Sequence, residues 1–274
     1  TFDPKISVSS GYSTIYLQTG YVRNTGIELS LGYNHTWKNN LHWSSNFTLG
    51  HNKKKIKQLV KNYLHPETGE LINKDRLEIG KLGKAKFILK EGGTLGDLYS
   101  QSDLKRDNNG QVEIDPSGAL VVENNLDDIK LGTVFPKANL AWNNYVSWKG
   151  VSVSALFTAR IGGIVFSATE AAMDQYGVSE RSAAARDNGG VLVNGRTLVD
   201  AETYYTAIGS ESGLPQYYTY SATNVRLQEA SIGYTLPSKW VRNLCNIQVS
   251  VVGRNLWMIY NKAPFDPEAV ATTG

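Results

Sequence analysis

The chain has a single cysteine, Cys245, in 274 residues. A disulfide-stapled scaffold is excluded. Histidines are few as well: His35, His42, His51 and His65, with no spacing that resembles a zinc motif. No metal and no cofactor are expected. No apolar run approaches the roughly 18 to 20 residues of a membrane-spanning helix, which excludes a helical membrane protein. Net charge is only +3, so the electrostatic footprint of nucleic-acid binding is missing. The marks of disorder are missing too, since aromatics reach 10% and net charge is low. No helix-period segment is long enough for a βαβ unit. Only Ala168–Met173 and Glu180–Arg186 read as short helices. Both ends read as cut: Thr1 is followed by no charged and apolar leader, and no compartment follows from that.

What is present is a period of two, the period of strands. Ile27, Leu29, Leu31 and Tyr33 alternate with Glu28, Ser30, Gly32 and Asn34. After a turn at Trp37-Lys38-Asn39-Asn40, Leu41, Trp43, Phe47 and Leu49 alternate with polar residues. This is a hairpin whose arms are about twice the usual length of roughly 5 to 6 residues. A second pair spans 134–163, turning at Lys149-Gly150. A third runs from Thr223 to Leu236 and from Asn246 to Ile259. Within the third, Val225 and Leu227 share one parity and Ala230, Ile232 and Tyr234 the other. A β-bulge near Gln228-Glu229 is expected. Weaker strands are read at Lys84–Gln101 and Gln111–Glu123, with a turn at Lys105–Gly110.

The connections are unequal. Those at 37–40, 149–150 and about 237–243 are short, whereas those at about 53–83, 124–133 and 164–222 are long. If strands alternate up and down, short turns fall on one side and long loops on the other. That layout is the one of an outer-membrane β-barrel. Tyr21, Trp37, Trp43, Trp142, Trp148, Trp240, Trp257 and Tyr260 fall near strand ends, where amphipathic rings meet a membrane interface. A soluble β-sandwich with ordinary core aromatics is the alternative reading of the same pattern.

Several stretches carry a family resemblance. Ser10-Gly11-Tyr12 with Gly20-Tyr21-Val22-Arg23-Asn24-Thr25-Gly26-Ile27-Glu28 resembles the NxGxxxNxGxE stretch of SusC/RagA-type TonB-dependent transporters. Gln18 or Thr19 stands near that family's usual Asn. Trp43 through Asn52-Lys53-Lys54-Lys55-Ile56 is similar to its WxxxxNxxxNKNxV segment, and Glu91-Gly92-Gly93-Thr94-Leu95-Gly96 with Tyr99 to its GxPxGxxYG strand. Asn224 through Pro237 resembles FxRLxxxxLxYxLP. Val251-Val252-Gly253-Arg254-Asn255-Leu256-Trp257 and Asp266-Pro267-Glu268 resemble VxGxNLxxW and the DPE after it. The order of these stretches spans nearly the whole chain.

The resemblance implies an all-β fold: an antiparallel transmembrane β-barrel segment of about eight strands, with short periplasmic turns and long extracellular loops. Residues 1–274 would be a partial C-terminal barrel domain, with the plug domain and the final strands absent. It further implies a bacterial outer-membrane transporter, not an enzyme, importing glycan oligomers or peptides. TonB would supply energy through the absent plug, a SusD-like surface lipoprotein would be the partner, and lipid and lipopolysaccharide would surround the wall. The alternatives are a small passive outer-membrane barrel or a soluble β-rich carbohydrate-binding module.

Candidate site residues lie in the loop at about 164–222: Tyr204, Tyr205, Tyr217, Tyr218 and Tyr220. Flat phenol rings stack on sugar faces, and the same rings bind peptides or pack against a partner protein. Lys53-Lys54-Lys55 with Lys57 is either a solvated loop base or a contact for lipopolysaccharide phosphates. Asp127-Asp128, Asp97 with Asp103, and Asp107 with Glu113 carry the charge that attracts Ca²⁺, but a lone acidic loop is more often simply solvated. No catalytic set stands out.

Overall fold

Alternation becomes a wall in the computed structural model, which describes residues 20–65, 68–210, 213–242 and 244–269. The chain begins with β1 (Tyr21–Thr36), β2 (His42–Gln58), β3 (Val60–Leu64), β4 (Leu71–Lys74), β5 (Arg76–Leu82), β6 (Ala85–Lys90), β7 (Asp97–Leu104) and β8 (Val122–Thr133). It continues through β9 (Ala138–Trp148), β10 (Val151–Ile161), β11 (Ile164–Phe166), α1 (Ala168–Gln175), α2 (Glu180–Asp187), β12 (Val191–Val193) and β13 (Thr197–Val199). Then come α3 (Ala201–Gly209), β14 (Thr219–Ser221), β15 (Asn224–Thr235) and β16 (Gln248–Asn261). Ser10-Gly11-Tyr12 and Gln18-Thr19 lie outside the described residues.

The wall is one antiparallel six-stranded sheet in the order β1-β2-β9-β10-β15-β16. With residues 59–137 and 162–223 set aside, it is a plain up-and-down meander. Register sorts the two faces. Leu31, Phe47, Trp142, Phe157, Leu227 and Trp257 stand level across all six strands. One residue on, Ser30, Thr48, Ala141, Thr158 and Arg226 stand level on the opposite face. The apolar face is bare: Leu31 is 57% exposed and Trp257 64%. A continuous apolar band of this extent is not left in water by a stable soluble fold. Two polar residues within it, Asn144 and Ser45, are answered by indoles, with Trp43 Nε1 donating to Asn144 Oδ1 at 3.4 Å and Trp142 Nε1 to Ser45 Oγ at 3.0 Å.

The turns follow from backbone sterics. Lys149 and Gly150 both take positive φ, 50° and 89°, as a two-residue hairpin turn matched to strand twist requires. The expected bulge is present: Leu156 pairs with Glu229 and Phe157 with Leu227, leaving Gln228 as the extra residue. Gln228 Nε2 donates to Asn255 Oδ1 at 2.8 Å, and Asn255 itself sits at φ 51°. At Gly26 a Cβ would stand 2.5 Å from the His51 carbonyl oxygen, so the close approach of β1 to β2 there admits only glycine.

All the remaining elements lie on the side opposite the short turns and form one lobe. β5-β6-β7-β8 make a four-stranded sheet, and β3-β4, β11-β14 and β12-β13 make small pairs. A single apolar core joins Phe87, Leu98, Leu104 and Leu120 from residues 59–137 with Phe166, Val193, Tyr205, Ile208, Leu214 and Tyr218 from 162–223. The structure differs from the sequence reading here. Residues 84–101 and 111–123 belong to the lobe, not the wall, so the wall holds six strands among the described residues rather than about eight. Residues 124–133, read as loop, lie within β8. The 105–110 turn is a hairpin inside the lobe, bridged by Arg106 and Val112. The physical reason is burial on both faces: Asp97, Leu98, Tyr99 and Ser100 are consecutive and all buried.

Candidate functional site

The five tyrosines converge within the lobe but differ in what they offer. α1 starts at Ser167, whose hydroxyl accepts from the Glu170 amide, and α2 starts at Ser179, which accepts from Ser182. Such caps satisfy otherwise orphaned amides and set where each helix begins. They place Asp174, Ser179 and Arg181 around a buried carboxylate. Asp174 accepts from Ser179 Oγ at 2.5 Å, Arg181 Nε at 3.0 Å and Tyr218 Oη at 2.8 Å. The Arg181 guanidinium lies 5.0 Å over the Tyr218 ring and 6.0 Å over Tyr205. Tyr205 Oη donates to the Arg181 carbonyl at 3.2 Å. Tyr220 Oη donates to Glu170 Oε2 at 2.6 Å, and its ring meets Phe265 edge-on.

Tyr218 is fully buried and Tyr205 nearly so. Their rings serve the lobe's core, and a ligand at the surface does not reach them in this arrangement. Tyr204, Tyr217 and Tyr220 are half-buried and keep part of each ring open. Burial, then the Asp174 hydrogen bond, raises the Tyr218 phenol. Burial and the Glu170 bond push Tyr220 up to about 12; burial and the Asp103 charge push Tyr217 up to about 12. Burial lowers the Arg181 guanidinium, but its bond to Asp174 together with the fields of Asp174, Tyr218 and Tyr220 outweighs this and the net direction is up. At neutral pH the three phenols are therefore neutral donors, and Arg181 is a fixed cation.

A second set of groups sits where the wall meets the lobe. Arg226, on β15, is 5% exposed. Its Nη2 donates to Asp266 Oδ1 at 2.8 Å and lies 3.4 Å from Glu268 Oε2. Two of the stretches that carried the family resemblance thus touch each other. The contact folds the segment after β16 back across the end of β15. Arg160, level with Asn224, donates from Nη2 to the Val134 carbonyl at 2.7 Å. Thr48, Ala141, Thr158 and Arg160 of the polar face, with Glu268, line a cavity of about 350 Å³. A larger cleft of about 530 Å³ opens beside it, lined by Glu28, Asn52, Lys54, Thr94, Thr133 and Lys137 among others. Lys54 Nζ lies 5.3 Å over the Phe135 ring.

This mouth offers hydroxyls, amides and both signs of charge, the groups that exchange hydrogen bonds with a hydrated polar solute. Sequence reading missed Arg160, Phe135 and Lys137. Only Arg160 carried a signal, as a charge on the polar parity of an alternating strand. Among the described residues, no group of three or more His, Cys, Asp or Glu is placed to hold a metal ion.

No family model matches the chain. TonB-dependent receptor P3 of Formosa agariphila is 24% identical over 279 residues, covering 95% of this chain and 26% of that protein. Among solved structures, a chain of the RagAB peptide transporter superimposes with a TM-score of 0.64 at 18% identity, over 97% of this chain and 29% of its own length. The RagAB peptide importer in its "closed-closed" state gives 0.63 at 18% identity, with the same coverage. In the "open-open" state it gives 0.59 at 19% identity, over 100% of this chain and 29% of that one. The chain therefore spans about a quarter of the length of the curated relative. By motif, wall and fold together, it is similar to the SusC/RagA-like TonB-dependent transporters and has the fold of part of their barrel.

Proposed function

We propose that this chain is part of the barrel of an active outer-membrane transporter that imports oligomeric polar solutes. The observation that carries the reading is the two-faced wall: a bare apolar row across six strands, and a polar row behind it level with the mouth. Such a wall is stable with hydrocarbon on one side and a hydrated passage on the other. No helix among the described residues is long and apolar enough to cross a membrane, so crossing falls to the strands. In this reading the short turns face the periplasm and the lobe faces outward. The bilayer in question is the bacterial outer membrane, with lipopolysaccharide beside the outer end of β2.

Energy would come from TonB acting on a plug supplied by the rest of the transporter, and a SusD-like lipoprotein would cover the lobe. The cargo class is peptide or glycan oligomer. The names of the solved neighbours favour peptide, whereas the tyrosine-rich lobe suits either. The half-open Tyr204, Tyr217 and Tyr220 are the proposed contacts for cargo or lipoprotein. Chemical turnover has no place in this scheme.

The test uses the full-length protein expressed in an outer membrane. Folded barrel migrates faster than boiled barrel on a denaturing gel. Cells are then offered labelled peptide pools and oligosaccharide pools, with and without TonB. TonB-dependent accumulation of either pool supports the reading and selects the cargo. Uptake indifferent to TonB indicates a passive pore, and a protein soluble without detergent indicates a binding module.

A further inference from the structure

Each of the three short turns carries a tryptophan beside a lysine: Trp37-Lys38, Trp148-Lys149 and Lys239-Trp240. The third adds Arg242. No aspartate or glutamate occurs in the turns at 36–41, 147–151 and 235–248. The opposite end of the molecule differs in carrying acids among its cations: Lys130 is paired by Asp97, Arg76 and Lys90 by Asp128, and Arg226 by Asp266. Among the described residues, Lys38, Lys149, Lys239 and Arg242 form no ion pair.

Trp37 and Trp148 sit at the edge of the apolar band, and Trp240 lies in the turn between β15 and β16. Trp37 meets His35 edge-on with centroids 4.5 Å apart, and His35 is level with Trp43 on that face. Trp148 is level with Val151, which is level with Tyr234. Trp37, Trp148 and Trp240 are 39%, 47% and 71% exposed. Lys149 Nζ lies 4.5 Å from the Trp148 ring centroid. Trp37 and Trp148 therefore continue the band to its limit, and the Lys149 ammonium begins where it stops.

Indoles alone suit the interface of any bilayer. Unopposed cations just beyond them select for negative headgroups. We propose that the short-turn end of the wall is a docking surface for anionic phospholipid, with Trp37, Trp148 and Trp240 at the glycerol level and Lys38, Lys149, Lys239 and Arg242 on phosphate. This rests on the membrane reading above and adds to it a lipid preference on one named side.

The experiment purifies the full-length transporter in mild detergent and offers it mixed micelles of phosphatidylglycerol and phosphatidylethanolamine. Retained lipid is quantified by native mass spectrometry. The wild type is expected to retain phosphatidylglycerol preferentially. The K38Q/K149Q/K239Q/R242Q variant is expected to lose that preference, on the order of fivefold for each charge removed at low salt. A K53Q/K54Q/K57Q variant at the lobe end is expected to keep it. Equal preference in the wild type and the turn variant overturns the proposal. The wild type alone supplies a second arm that needs no variant to fold. Near 1 M NaCl, where the screening length falls to about 3 Å, the preference is expected to vanish, and a preference unmoved by salt overturns the proposal. Failure of the membrane reading looks different, as a protein soluble without detergent that retains neither lipid.

Discussion

Asp128 holds four donor contacts on one carboxylate. Arg76 Nε and Nη2 donate at 2.6 and 2.9 Å, Gln101 Nε2 at 2.8 Å, and Lys90 Nζ lies at 2.9 Å. The Arg76 bonds, with help from Lys90 and Gln101 and against the opposing effect of burial, hold this carboxyl well below the usual carboxylate range. Its folded-state value is depressed, so its stabilisation is complete above the unfolded value of about 4 and drains as pH falls below that. Arg76 and Lys90 are each more than a third exposed, and solvent screening holds the contribution to about 1–2 kcal/mol. Hydrogen exchange across β5, β6 and β8 in the full-length protein is expected to be flat from pH 7 to 5, after correction for intrinsic rates. It is expected to rise below about pH 4. Asp128→Asn should raise exchange already at pH 7 and remove the acid step. A step that persists in that variant would assign it to another carboxylate. None of this was visible in sequence, where Asp127-Asp128 read only as an acidic pair in a loop. The tyrosines show the same gap. Their clustering was legible from spacing, but the burial of Tyr205 and Tyr218 depends on how α1 and α3 meet, which spacing does not encode.

Gln228 sets the register of an entire element. Below it, Val225 and Leu227 lie on the apolar face; beyond it, Ala230, Ile232 and Tyr234 do, because one extra residue shifts the parity. Deleting Gln228 would remove the extra residue and leave Val225, Leu227, Ala230, Ile232 and Tyr234 in one unbroken alternation on the apolar face. Inserting one alanine after Ala230 would instead turn Ile232 and Tyr234 inward and Ser231 and Gly233 outward, since a one-residue slip exchanges every side chain in a strand. With the insertion the wall is expected to fail to assemble and the fast-migrating folded band to disappear from unboiled gels, whereas the Gln228 deletion should keep the band. Gln228→Ala keeps the residue count and loses only the 2.8 Å bond to Asn255, so the band should remain. Loss of the band in both Gln228 variants would place the constraint in that side chain rather than in the alternation on either side of it. This bulge was readable from sequence because each half of β15 alternates cleanly. The six wall strands were readable for the same reason. β6 and β7 were misplaced because buried lobe strands present the same apolar density, and pattern alone does not say which sheet a strand joins.

At the scale of the whole molecule, two excursions far apart in sequence behave as one body. Leu214 is fully buried and packs in the same core as Leu98 and Leu104. Polar ties reinforce the union. Gln216 Nε2 donates to the Ser102 carbonyl at 2.9 Å. The Asn194 side chain accepts from the Val112 amide at 2.8 Å and donates to its carbonyl at 2.9 Å. Hinged loops that opened separately would break these ties and expose both halves of the core. The arrangement requires instead that the lobe move, if it moves, as a unit over the wall. Leu214→Ala removes a side chain with no exposed surface, at a cost of about 3 kcal/mol. If the lobe is one cooperative unit, hydrogen exchange should accelerate in β7 and in α3 by similar factors, while β1, β2, β9 and β10 keep their protection. Acceleration confined to 201–218 would mean that the excursions open independently. Acceleration through the wall as well would mean that lobe and barrel unfold together, and motion of the lobe would then be coupled to the wall rather than carried over it.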